Sequence, residues 1–339
     1  MEKNRQSANS RLRFYQEWTR AVGLGANPLL EGYPVTTRNA LLACYTLKLC
    51  TGSNLKSKTI KVSTVRRYLG AVTKYFKAQG QPDPLADASG HRSSRIDGIL
   101  RECHRWESLT DKREPLTWEM VSYQQAKARA QHPDSLDAIM ADWFLVGMYT
   151  GFRLSEWAQP ASHIRQHKDF QRNIDGSSTA ITSKDIIIKP SLLSVRYRFQ
   201  KNGGNGEKIP YEACVTRPDR CPRLAILRIV DRARRFGIPE DAPLAQYKDA
   251  SGLAFITDEI ISHHLRQAAK AAHAISDPNE LALWTSHSIR IGACVALRAL
   301  NHDFVFIKQR LRWRSDSFMM YLRHTPQLAA LHSELFSAT

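Results

Sequence analysis

The chain has 339 residues, 42% of them hydrophobic, enough to bury the cores of two ordinary domains and to exclude a disordered polymer. Lysine and arginine total 49 against 32 acidic residues, a net charge of +17 that points to a polyanionic partner, because neutralising phosphates supplies most nucleic-acid affinity. These basic residues run along the whole chain rather than in a tail, so a broad surface facing double-stranded DNA is expected.

Six cysteines (Cys44, Cys50, Cys103, Cys214, Cys221 and Cys294) show no C-x-x-C spacing, which argues against a metal site and for a reducing compartment. The opening MEKNRQSANS has no apolar signal core, and no apolar run approaches the ~20 residues of a membrane span. The expectation is an intracellular protein without a membrane partner. It would be nuclear in a eukaryotic host and otherwise in the cytoplasm or nucleoid.

From the N-terminus, residues 11–104 read as a helical bundle. Helices are predicted over Arg11–Val22, Thr36–Leu49 and Thr64–Gln79, the last with Val65, Leu69, Val72 and Phe76 on one face. Arg66, Arg67, Lys74 and Lys77 lie elsewhere on that helix and can meet phosphate, as can Arg92 and Arg95 in the basic run from His91 to Arg105. Residues 1–106 are therefore expected to form a DNA-binding domain. The stretch 107–117, ESLTDKREPLT, is charged and proline-bearing and suits a linker to a second domain over 118–339.

In the second domain Leu136–Thr150 is a long apolar helix that ends at Gly151, with Arg153 just beyond. Short strands are predicted at Ile186–Ile188, Leu193–Phe199 and Lys208–Tyr211, the last two flanking the hairpin turn KNGGNGE. Helices resume over Cys221–Phe236 and Thr257–Ala274, the latter capped by Thr257 with Asp258 and Glu259 in its first turn. Short helices then carry His287, Arg290, Trp313 and Tyr321. A further helix at 327–336 places Leu328, Leu331 and Leu335 on one side. The predicted fold is mainly α with a small antiparallel sheet.

Two motifs carry the chemistry. TGFRLSEW spans Thr150–Trp157, and His287-x-x-Arg290 is followed by Trp313 at 23 residues and Tyr321 eight residues later. His-x-x-Arg alone is weak, because His263 and Arg266 repeat it. The combination resembles the tyrosine recombinase (phage integrase) family, whose T-G-x-R-x-x-E box matches Arg153 and Glu156. The hairpin sequence FQKNGGNGEKIP is similar to the family's lysine-bearing turn. LRW stands where the family usually reads L-G-H, some members having tryptophan there, and the spacing to Tyr321 is one shorter than the commonest. RWRSDSFMMYLRH is similar to recombinases of eukaryotic mobile elements of the crypton and DIRS type.

The resemblance implies a two-domain, C-shaped DNA clamp with Arg153, Lys201, His287, Arg290, Trp313 and Tyr321 as catalytic residues, supported by Glu156 orienting the arginine or His287. It implies Tyr321 as nucleophile of a 3′-phosphotyrosyl intermediate, Lys201 as general acid with Lys208 as its rival across the turn, and a homo-tetramer on DNA. No cofactor or metal is expected, since a tyrosyl ester conserves the energy of the broken bond. Arginine suits a phosphoryl transition state because its planar fork can neutralise non-bridging oxygens bidentately. Two other readings share these residues: a type IB topoisomerase-like DNA-relaxing enzyme, and a recombinase-derived DNA-binding protein that has lost catalysis.

Overall fold

A computed structural model describes residues 2–52, 60–107, 113–159, 170, 172, 175–200 and 203–322. Lys201 and the helix expected at 327–336 lie outside the described residues. The chain divides into two compact units, Met1–Thr110 and Asp111–Thr339.

The first unit holds helices α1 (Glu2–Ala21), α2 (Val35–Thr51), α3 (Val62–Ala78) and α4 (Ser94–Arg105). They pack around Tyr15, Leu42, Tyr45, Leu69, Phe76 and Leu100. In α3 the helical period turns Val65, Leu69, Val72 and Phe76 inward. At ~100° per residue the same period sets Arg66, Arg67, Lys74 and Lys77 together on another arc, and all four are exposed. Arg92 and Arg95 are exposed as well. Arg92 lies 3.8 Å from Asp97, a surface pair of little energetic consequence.

The second unit is built around α6 (Leu136–Thr150), which is buried from Ile139 through Met148 and so has no solvent face to pattern. Around it come α5 (Trp118–Arg129), the single turn α7 (Leu154–Trp157), α8 (Pro222–Phe236), α9 (Asp258–His273), α10 (Pro278–Leu281) and α11 (His287–Ala299). Thr117, Ser135 and Thr257 start α5, α6 and α9 by accepting the amide hydrogens of Met120, Ala138 and Ile260. Each such cap stabilises its helix by about 1 kcal/mol.

Close approach of α11 to α6 and to the segment before α5 depends on one glycine each. A Cβ at Gly147 would run into the Ile289 side chain, and one at Gly292 into the Leu116 carbonyl. Gly151 then ends α6 in the left-handed region at φ +54°, where an L side chain is strained, and turns the chain toward Arg153.

Strands β1 (Ile186–Ile188), β2 (Leu192–Tyr197) and β3 (Glu207–Glu212) form an antiparallel sheet in sequence order. Val195 pairs with Ile209 and Tyr197 with Glu207 at the turn end. A second sheet corrects the expectation of a single one: β4 (Gln246–Asp249) pairs with β5 (Gly252–Phe255). It is exposed or half-buried along most of its length, so its sequence lacks the alternation that announces a strand.

A separate small core of Ala293, Cys294, Ile307, Leu311, Phe318 and Leu322 holds α12 (Phe304–Arg310) and α13 (Met319–Leu322) against α11. Among the described residues, no helix is long and apolar enough to cross a membrane.

Candidate active site

His287 is the first residue of α11 and Arg290 follows one turn later on the same side. The cluster on Ile307, Leu311 and Phe318 folds the chain back, so that α13 returns Tyr321 to α11. The Tyr321 hydroxyl and His287 Nε2 are 2.7 Å apart, with their rings edge to face. This contact joins residues 34 apart in sequence. Of all the arrangement, it is the part best suited to proton transfer.

Burial and the neighbouring charges of Arg290 and Arg113 hold the His287 imidazole below its ordinary pKa. A lowered pKa keeps the ring neutral, and able to accept the tyrosyl proton, at pH values where a free imidazole would begin to charge. The Tyr321 phenol is pushed up by burial and by Cys294, while Arg290 pulls the other way. Followed by NMR, His287 is expected to titrate below the range of a free imidazole. Arg113→Ala removes one repelling charge and should move the midpoint upward; an unmoved midpoint would remove Arg113 from the site's electrostatics.

Arg290 is 2% exposed. It donates to the carbonyls of Gly151 and Leu311, and its guanidinium lies 4.0 Å from the centroid of the Trp313 ring. Burial, with Arg153 and Arg312 close by, lowers its pKa to about 10, which still leaves it charged near neutrality. Part of its donor fork is therefore spent on protein carbonyls rather than left for a ligand. Trp313 is half-buried between this guanidinium and Phe318. Its indole nitrogen is buried beside the Cys294 thiol without a hydrogen-bond geometry to any described residue.

Arg153 caps the start of α7, and Glu156 closes back on it. The carboxylate accepts the Arg153 backbone N–H at 3.1 Å and the guanidinium at 2.8 Å. Among the described residues Glu156 does not meet His287, one of its two expected partners. Its second cation is Arg312, at 2.8 Å. Arg312 is a residue that sequence reasoning passed over; the only signal was that arginine stands where the family motif carries glycine.

Lys208 lies exposed on β3, opposite Arg196. The decoy pair is accounted for structurally: Arg266 donates to the Trp284 carbonyl, and His263 bonds Gln267 on its own helix. A cleft of about 550 Å³ runs between the glycine-rich β2–β3 turn and Lys308, Arg312, Trp313 and Arg314. Trp313, whose ring lies 6.2 Å from that of Tyr321, is the lining residue that links this cleft to the tyrosine. The arrangement as a whole offers a phenol, an adjacent neutral base and several cations, which is the equipment for nucleophilic attack on a phosphodiester.

No family model matches this chain, and no curated protein does. Solved structures do. The Tn1549 transposon integrase in complex with transposon right end DNA is 14% identical, with a TM-score of 0.56 over 99% of this chain and 94% of its own. The same integrase in complex with circular intermediate DNA gives 15% identity and a TM-score of 0.54, covering 98% and 93%. The XerH site-specific recombinase bound to palindromic difH substrate is 12% identical, with a TM-score of 0.52 over 91% of this chain and 74% of its own. The chain has the fold of these recombinases.

Proposed function

We propose that this chain is a site-specific DNA recombinase or integrase that cuts and rejoins duplex DNA through a 3′-phosphotyrosyl intermediate. The observation that carries the reading is the hydrogen bond between Tyr321 and His287, set beside buried Arg290 and the Arg153–Glu156 pair. The phenol oxygen of Tyr321 attacks phosphorus while His287 takes its proton. The bond to the 5′-oxygen breaks, and that oxygen leaves as a hydroxyl after receiving a proton from Lys201. Arg153 and Arg290 neutralise charge gathering on the non-bridging oxygens. Trp313 packs its ring against Arg290 and fixes that guanidinium. A 5′-hydroxyl of a partner duplex reverses the steps, so neither ATP nor metal is required. Four protomers on two sites would complete an exchange.

A duplex nicked just past the cleavage position loses its short 5′-hydroxyl fragment and traps the intermediate. Wild-type protein is expected to yield a covalent adduct stable to SDS. No adduct on any cognate duplex would leave a DNA-binding protein without catalysis.

Exposed Arg66, Arg67, Lys74, Lys77, Arg92 and Arg95 are proposed to grip the phosphate backbone from the first unit. Log K should fall by about 0.9 per phosphate contact as log salt rises, giving a slope of roughly six or more for a two-unit grip. Binding measured across a salt series checks this, and a slope near one or two would remove the first unit from the grip.

A further inference from the structure

Arg312 is an unusual residue for its position. It sits at φ +56°, in the left-handed region that arginine rarely occupies, and its side chain is 1% exposed. Cost of that kind persists only where surrounding contacts over-determine it. Here they come from several segments at once. Nη2 donates to Glu156 at 2.8 Å, Nη1 to the Thr150 carbonyl at 3.2 Å, and the guanidinium carbon lies 3.4 Å from the Tyr197 ring centroid. One side chain thus ties the end of α6, the α7 turn and the strand leading to the glycine-rich hairpin to the segment that carries Trp313.

The carboxylate it meets is the one paired with Arg153. Glu156 Oε1 takes the Arg153 guanidinium, while Oε2 takes the Arg153 backbone N–H and the Arg312 guanidinium. Glu156 is itself 2% exposed, so water cannot replace a lost partner. We propose that Arg312 is a positioning residue that shares the Glu156 carboxylate with Arg153, leaving Arg153 with donors and net positive charge to spend on the scissile phosphate. Without Arg312, the buried carboxylate keeps Arg153 as its one ion-pair partner among the described residues and draws it in more fully, at the expense of the phosphate. This inference rests on the reading of the site as one that cleaves phosphodiesters.

The test follows adduct formation on the nicked duplex. Arg312→Met, similar in length and uncharged, is expected to slow the single-turnover rate by about 10²-fold, the scale of losing one preorganised donor. Duplex affinity should stay within about threefold, since a buried residue makes no backbone contact. Adding Glu156→Gln to Arg312→Met removes the unshared charge and should recover at least about tenfold of the rate. Arg312→Lys keeps the cation and should lie between wild type and Arg312→Met. Replacing one non-bridging oxygen at the scissile position by methyl removes a charge from the phosphate, so it should narrow the gap between Arg312→Met and wild type.

Wild-type rates for Arg312→Met would overturn the proposal. So would a slow Arg312→Met that neither Glu156→Gln nor the methylphosphonate improves, because packing alone would then explain it. Should Arg312→Met not fold, the double variant and Arg312→Lys decide: both must cleave, with Arg312→Lys below wild type. Failure of the wild-type protein itself to form an adduct would instead remove the reading of the site, and the positioning role with it.

Discussion

Tyr321→Phe is expected to abolish the covalent protein–DNA adduct, a loss of about 10⁴-fold or more, in keeping with removal of a nucleophile. The change deletes one oxygen. The ring keeps its place 6.2 Å from Trp313 and 5.6 Å from His287, so the small core beneath it is undisturbed. Losing the hydrogen bond to His287 should cost about 1 kcal/mol of stability. Duplex affinity, which phosphate contacts dominate, should change by less than about twofold. The measurement is adduct yield on the nicked duplex, with binding and thermal unfolding as controls. A Phe variant that still forms adducts would take the nucleophile away from Tyr321. One that binds DNA poorly would mean the phenol grips the duplex rather than attacking it.

Much of the fold was legible in the sequence because it follows from local physics. The helix expected over Leu136–Thr150 is found with those bounds, set by the Ser135 cap and by Gly151 in the left-handed region. The inward stripe of α3 follows from periodicity alone. The β4–β5 hairpin went unseen because it buries too little to require an alternating pattern. At the site, the order of residues was legible but not how their hydrogen-bonding capacity is divided. Arg290 donates to the carbonyls of Gly151, at the end of α6, and Leu311, just past α12, which local spacing in the sequence does not bring to α11. Arg312 joins residues 156 and 162 positions away, beyond any pattern of local spacing. The departure from glycine in LRW was visible, yet its meaning depended on Glu156 being buried.

The cations should separate by the oxygen each one serves. An alkoxide leaves poorly without a proton, whereas a thiolate leaves unaided because a thiol is far more acidic than an alcohol. Sulfur in place of the bridging 5′-oxygen therefore removes the need for a general acid and for nothing else. Lys201→Ala is expected to cut cleavage of the ordinary duplex by about 10²–10⁴-fold, the usual reach of general acid catalysis, and to cleave the sulfur duplex at nearly the wild-type rate. Arg153→Ala and Arg290→Ala should lose about 10²–10³-fold on both substrates, because the charge they neutralise sits on the non-bridging oxygens that sulfur leaves unchanged. Arg290→Ala should lose stability as well, since its side chain also ties the Gly151 and Leu311 carbonyls; Arg153, half-buried and held to Glu156, should cost less. Single-turnover rates of each variant on paired oxygen and sulfur substrates are the measurement. Rescue of Lys208→Ala with no rescue of Lys201→Ala would move the general acid across the turn to β3. Rescue of neither lysine would hand the proton to His287, which accepts one from Tyr321 and would then have to pass it across the phosphate to the leaving oxygen.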